Sequence, residues 1–289
     1  MPDLPDELVL PHGFLPPEPR PVVRPKDAAT VILLRDIPLG DAPAGVEVFL
    51  QRRVAGMAFA GGMTVFPGGG VDGRDSAAIP GAAWAGPRPS WWARRFGCDE
   101  ALAQALVCAA VRETFEESGV LLAGPDKASV VDDAARHHVA RAALVARELS
   151  MAQFLADARL VLRADLLRPW ANWVTPEGEP RRYDTRFLLA VLPPGQHADA
   201  VTTEAVDAVW QSPAAALADW PAGRRWLLPP TWYSLSELAE HDTVAALLAA
   251  SDHRTIEKIM PRVVRDPDGL RVVLPGDPRY DAAAAHLDP

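Results

Sequence analysis

The amino-acid sequence predicts an α+β fold, helices layered on strands with a helical C-terminal extension, on three observations. Short runs rich in Val, Ile, Leu and Phe alternate with Gly/Pro/Asp turns early in the chain, and one long helix with marked ends follows. Strand-like runs then resume ahead of helical stretches joined by proline-rich connections.

Residues 1–25 hold eight prolines and lack an apolar period, so they read as an arm outside the core. Two paired strands are expected over 28–35 and 46–51, and a short one over 63–67 that enters the glycine-rich loop Gly68-Gly69-Gly70. Pro80, Gly81, Gly86, Pro87 and Pro89 mark an inserted loop with a short helix over 90–96. The long helix is expected over 99–118, with Leu102, Leu106, Ala109 and Ala110 at helical spacing, Asp99 as N-cap and Gly119 as the stop. Helices over 131–148 and 151–158, extended segments over 166–174, 182–192 and 204–211, and helices over 234–239 and 244–250 complete the reading. There is no internal repeat and no clean boundary, so 26–289 is taken as one domain, with 76–99 inserted and 213–289 as the extension.

The composition, 49% hydrophobic and 23% charged, is that of an ordinary globular chain, and no run approaches the roughly 18 apolar residues of a membrane span. A net charge of −9 argues against nucleic acid as a partner, because such binding draws on basic patches. No basic-then-apolar leader and no obvious address signal is read at either end, so the cytoplasm is the expected location and no membrane partner is expected. Cys98 and Cys108, ten residues apart on what reads as a single helix, are about 15 Å apart along its axis, too far for a disulfide.

Glu113, Glu116 and Glu117 stand at i, i+3 and i+4, which puts three carboxylates on one helix face, and Arg112 lies four residues before Glu116. Such a face can hold a hard divalent cation whose remaining positions go to water and substrate phosphate. It equally describes a solvated acidic face, since like charges at this spacing cost only about 0.2–0.5 kcal/mol per pair.

The run Arg112-Glu113-Thr114-Phe115-Glu116-Glu117-Ser118-Gly119-Val120 resembles the end of the Nudix box, G-x5-E-x7-R-E-U-x-E-E-x-G-U with U aliphatic, departing from it at Thr114. Gly69 would open the box, and six residues on, Asp75 stands where its first Glu belongs. Between Asp75 and Arg112 lie 36 residues where the simple box has seven, so about 29 are inserted, and Asp75 is left out of the candidate site on that account. An interruption at this place resembles the branch of Nudix enzymes related to the mammalian peroxisomal coenzyme A diphosphatase. Gly62-x3-Phe66-Pro67-Gly68-Gly69 is similar to part of a wider coenzyme A signature, whose arginine would fall at Ala58, with Arg52 and Arg53 as the nearest substitutes. Segments 170–178, 181–187 and 274–278 also match, so the resemblance covers roughly 26–280.

The resemblance implies a Nudix-type α/β/α sandwich with a mixed sheet and an insertion within the Nudix box. It further implies a Mg²⁺- or Mn²⁺-dependent hydrolase in which water attacks a phosphorus of a nucleoside diphosphate linked to another moiety. Coenzyme A or an acyl-coenzyme A is the leading substrate; ADP-ribose, a dinucleotide, or a non-catalytic nucleotide-sensing module are the alternatives. Glu116 and Glu117 are the implied principal metal ligands, Glu113 a further ligand or proton acceptor, and Arg112 the group that orients them. Glu204 is the candidate general base, or equally a strand-edge surface carboxylate. Arg52, Arg53, Gly68, Gly69, Arg182 and Tyr183 are the candidate substrate contacts, with Arg181 and Arg186 able to join Arg182 around the Tyr183 ring. Trp170 and Trp173 read as packing, and His137-His138 as a solvated face. The expected partner is a small-molecule nucleotide substrate, and a homodimer is compatible with this reading.

Overall fold

The structure is a computed structural model and describes residues 23–39, 42–57, 59–266 and 269–281. The first 22 residues of the proline-rich arm and Ala58 fall outside that set. In chain order the elements are β1 (Lys26–Leu39), β2 (Ala42–Arg53), β3 (Thr64–Val65), β4 (Gly68–Gly70), β5 (Trp84–Ala85), α1 (Pro89–Phe96), α2 (Glu100–Ser118), β6 (Ala123–Gly124), α3 (His138–Val145) and α4 (Met151–Ala158). There follow β7 (Val161–Arg163), β8 (Leu167–Val174), β9 (Tyr183–Val191), β10 (Ala205–Gln211), α5 (Pro213–Asp219), α6 (Pro229–Leu238), α7 (Val244–His253), β11 (Lys258–Ile259), β12 (Arg262–Asp266) and β13 (Gly269–Val273).

The main sheet runs β10-β2-β1-β9-β8-β11, with β3 added to β2 and β4 to β1. It is mixed: β1 runs parallel to β9 and antiparallel to β2 and β4. Alternation along β1 builds a core on each face. Ala29, Val31 and Leu33 pack with α2 and α4, whereas Ile32 and Leu34 pack with residues of α5, α6 and α7. The result is an α+β sandwich, helices on both sides of the sheet.

Helix α2 ends where its local signals place it. Asp99 Oδ1 accepts from the Leu102 N–H at 2.8 Å, and Gly119, at φ +74°, turns the chain out of the helix. Nearly all of 103–111 is buried, because the sheet covers one side and residues between 79 and 96 cover another. Residues 76–99 thus combine exposed loop with side chains that enter the core, and the expected short helix is α1. Trp84, Trp92 and Phe96 are buried with α2, and the Trp84 and Trp92 indoles both donate to the Pro87 carbonyl.

Several expectations need correction. The glycine-rich run is not a loop but β4, paired to β1. Cys98 lies in the turn ahead of α2 rather than within it. The single helix over 131–148 breaks into a 3₁₀ turn at Ala134–His137 and the short α3, because Asp133 caps the Ala135 N–H and Arg147 takes a left-handed φ of +61°. His137 is not a freely solvated side chain, since its ring sits 5.3 Å from that of Phe154. The C-terminal extension is not purely helical either. β11 joins the sheet beside β8, and β12 and β13 form a hairpin, for which the β-branched Val263, Val264, Val272 and Val273 on either side of an Asp-Gly pair were the overlooked signal.

Candidate active site

A cavity of about 640 Å³ opens over β4 and the last turns of α2. Arg112, Glu113, Glu116, Glu117, Arg53, Glu204, Gly68, Gly69 and Tyr183 all line it, so the structure brings most of the sequence-selected residues together.

Two strands sort their own side chains by alternation. On β9, Tyr183, Thr185 and Phe187 line the cavity, while Arg186 on the strand and Arg182 just before it are buried elsewhere. Arg182 is therefore corrected as a substrate contact: its guanidinium donates to the carbonyls of Thr175 and Val23 and approaches Met260 Sδ. Arg186 is held between Asp27 and Asp184. On β2, Gln51 and Arg53 share a face, and Arg52 points to solvent and does not line the cavity. Of the adjacent arginines only Arg53 reaches the site, where it pairs with Glu204 at 3.0 Å.

The helix end that carries the carboxylates is fixed from two sides. Gln51 Nε2 donates to the Glu117 carbonyl at 3.0 Å, and Arg141 Nε donates to the Glu116 carbonyl at 3.1 Å while its other nitrogens grip Asp199. These terminal carbonyls would otherwise lack intrahelical partners. Neither Gln51 nor Arg141 stood out in the sequence.

Arg112 is the hub. Its Nε and Nη2 meet the two Asp75 oxygens at 2.8 and 2.9 Å, its Nη2 also donates to the Gly70 carbonyl, and its Nη1 lies 2.8 Å from Glu113 and 3.2 Å from Glu116. Burial opposes its charge, but Asp75 and the two glutamates reverse this and hold it firmly protonated. Asp75 is 0% exposed, so the residue set aside for its distance along the chain is the principal anchor of Arg112.

Gly69 makes room for Glu113: a Cβ at that position would fall 2.5 Å from Glu113 Oε1. The Gly68 N–H donates to Glu117 Oε2 at 2.9 Å. Burial, reinforced by neighbouring carboxylates and opposed by Arg112, pushes Glu113 up to about 7. Burial and repulsion from Glu113 push Glu117 well above the usual carboxylate range, and burial raises Glu116 as well. Glu116 Oε1 is buried with no hydrogen-bond partner. As the side chains stand, with Glu113 and Glu116 drawn onto Arg112, no three His, Cys, Asp or Glu among the described residues are grouped closely enough to hold a cation. The wall nonetheless carries hard oxygen donors, one of them orphaned, in a place that favours added positive charge.

The NUDT19 Nudix domain family model matches residues 87–238, which is more than half of the chain and includes all of α2. The chain is 30% identical to acyl-coenzyme A diphosphatase NUDT19 of Gallus gallus, over 88% of this chain and 79% of that protein. This chain belongs to the Nudix hydrolase family. The human acyl-coenzyme A diphosphatase NUDT19 is 32% identical to this Nudix hydrolase over 60% of the chain and 50% of the human protein. The crystal structure of a NUDIX hydrolase from Alicyclobacillus acidocaldarius superposes with a TM-score of 0.60 at 25% identity, covering 78% of this chain and 96% of that one. The family match starts after Gly69 and Asp75, so the Asp75–Arg112 contact is a finding of the structure alone. Among the described residues no helix is long and apolar enough to cross a membrane.

Proposed function

We propose that this Nudix hydrolase is a divalent-metal-dependent diphosphatase of coenzyme A or an acyl-coenzyme A, releasing 3',5'-ADP and a phosphopantetheine portion. One observation carries the reading: a single cavity sets the carboxylates of α2 against cationic and aromatic groups suited to a nucleotide. On that second side Tyr183 stands edge-on to Phe59 with ring centroids 5.1 Å apart, and Lys26, Arg53 and Arg181 also line the space. The names borne by the similar Gallus gallus and human proteins support the choice of substrate.

The residues present fit Mg²⁺ or Mn²⁺, and Glu113, Glu116 and Glu117 would hold it, where it would acidify bound water and offset charge on the diphosphate oxygens. The protein's own residues supply the rest. Arg112, clamped by Asp75, restrains Glu113 and Glu116 in register with the substrate. Arg53 binds a phosphate oxygen, and Glu204, its partner in the free protein, accepts a proton from the attacking water. Gly68 and Gly69 keep the backbone low enough for the diphosphate to approach the carboxylates.

The test is to assay the purified protein, with Mg²⁺ or Mn²⁺, on coenzyme A, acetyl-coenzyme A, ADP-ribose, NADH and diadenosine polyphosphates. The expected result is a kcat/KM at least about tenfold higher on the coenzyme A species, with 3',5'-ADP as product. A preference for ADP-ribose, or activity untouched by Glu117→Gln, would sink the proposal.

A further inference from the structure

The carbonyls that end α2 all have partners, and most of those partners come from outside the helix. The Phe115 carbonyl accepts from the Gly119 N–H at 3.0 Å, and that of Ser118 from the Asp199 N–H at 2.8 Å. Gln51 takes the Glu117 carbonyl, and Arg141, on α3, takes that of Glu116.

Arg141 divides its donors between two segments. Its Nη1 and Nη2 meet the Asp199 oxygens at 2.7 and 2.8 Å, and Nη2 also donates to the Val201 carbonyl at 3.2 Å. Asp199 and Val201 belong to the connection 192–204 between β9 and β10, and Thr202, Thr203 and Glu204 at its end line the cavity. On its far side that stretch is held by the chain after β2, where the Val54 N–H donates to the Glu204 carbonyl at 2.9 Å. Glu204 thus ends a segment tied twice, to the carboxylate helix through Arg141 and to Val54. A Cβ at Gly119 would fall 2.7 Å from Asp199 Oδ2 and 2.8 Å from Arg141 Nη1, so the helix stop also leaves the room that this pair occupies. Neither Arg141 nor Asp199 lines the cavity.

We infer that Arg141 and Asp199 are positioning residues for the hydrolysis, holding Glu204 at a set place relative to the α2 carboxylates without touching the substrate. The inference rests on the role of Glu204 as proton acceptor in the reading above. The planar guanidinium accounts for arginine here. It donates from one edge to a carboxylate and from another to a carbonyl, directions that a lysine ammonium does not reproduce. A proton acceptor moved by about 1 Å costs rate, up to about a hundredfold, while the groups that bind the substrate stay in place.

The experiment measures kcat and KM of the full chain with Mg²⁺, on whichever of coenzyme A, acetyl-coenzyme A and ADP-ribose the parent hydrolyses fastest. Arg141→Lys and Asp199→Asn are compared with the parent, and Arg141→Lys is repeated in a Glu204→Gln background. Asp199→Asn keeps the side-chain shape and carries the test if Arg141→Lys does not fold. Arg163→Lys, which breaks a comparable pair with Asp165 (2.9 and 2.7 Å) away from the cavity, controls for a loss of packing alone. Arg141→Lys is expected to lower kcat at least about tenfold with KM within about twofold, Asp199→Asn to act in the same direction, and Arg163→Lys to change kcat less than about twofold. In the Glu204→Gln background the further loss from Arg141→Lys shrinks to less than about twofold, because the group it positions is gone. Equal losses in both backgrounds, a KM effect without a kcat effect, or an equal loss from Arg163→Lys overturns the inference and leaves the coenzyme A reading standing. Full activity in Glu204→Gln removes the proton acceptor and this inference with it. A parent inactive on all three substrates overturns both readings together.

Discussion

Arg112 and Asp75, 37 residues apart in sequence, meet through two hydrogen bonds of 2.8 and 2.9 Å, with Asp75 fully buried. Removing one member of a buried pair strands the other. Asp75→Ala is expected to cost about 3 kcal/mol of stability in chemical denaturation, because the buried Arg112 would keep only its two glutamates and the Gly70 carbonyl as partners. Activity should fall with it, since an unclamped Arg112 would no longer hold Glu113 and Glu116 in one fixed position. Unchanged denaturation midpoints would show that the pair contributes nothing.

Gly69 separates activity from stability. The atom its Cβ would strike is the far end of the Glu113 side chain, which can swing aside without disturbing the backbone. Gly69→Ala should therefore leave Tm within a few degrees of the parent while lowering kcat at least about tenfold. Parallel thermal melts and initial rates check this, and a variant with full activity refutes it.

The carboxylates of α2 are expected to weaken the cation-free fold at neutral pH. A carboxyl group whose pKa is raised on folding contributes stability fully present below its unfolded value, and that contribution is lost as pH rises through the folded value. For Glu113 this window runs from about 4.5 to about 7, and Glu117 is shifted in the same direction. In chelator at pH 8, Glu117→Gln should melt above the parent, and the gap should close by pH 5. The same substitution should cost at least about a hundredfold in kcat. A variant that melts lower than the parent at pH 8 would contradict the sign.

Arg53 and Arg52 offer an internal control, being neighbours on opposite faces of β2. Arg53→Ala should raise KM about tenfold or more by removing a cavity cation, whereas Arg52→Ala should change it less than about twofold. Equal effects from both would place the substrate elsewhere.

What the sequence disclosed, and what it hid, follows from the range of each signal. The limits of α2 were readable because Asp99 and Gly119 act within one turn of their own positions. The grouping of Glu113, Glu116 and Glu117 was readable because a helix imposes it. Asp75 was passed over because its partner is reached only by a fold-back that no local rule describes. Arg182 was chosen wrongly although the corrective was at hand: the residue before Tyr183 on a strand must face the other way. Gln51 and Arg141 gave no sign, since their targets are backbone carbonyls, which every residue has.

Residues 76–99 separate Asp75 from α2 in sequence and cover that helix in space. In one dimension the stretch interrupts a motif, yet Trp84, Trp92 and Phe96 shield the flank of α2 from water. Excising it to restore the short spacing would bare that flank and strip away the bulk on which the helix leans.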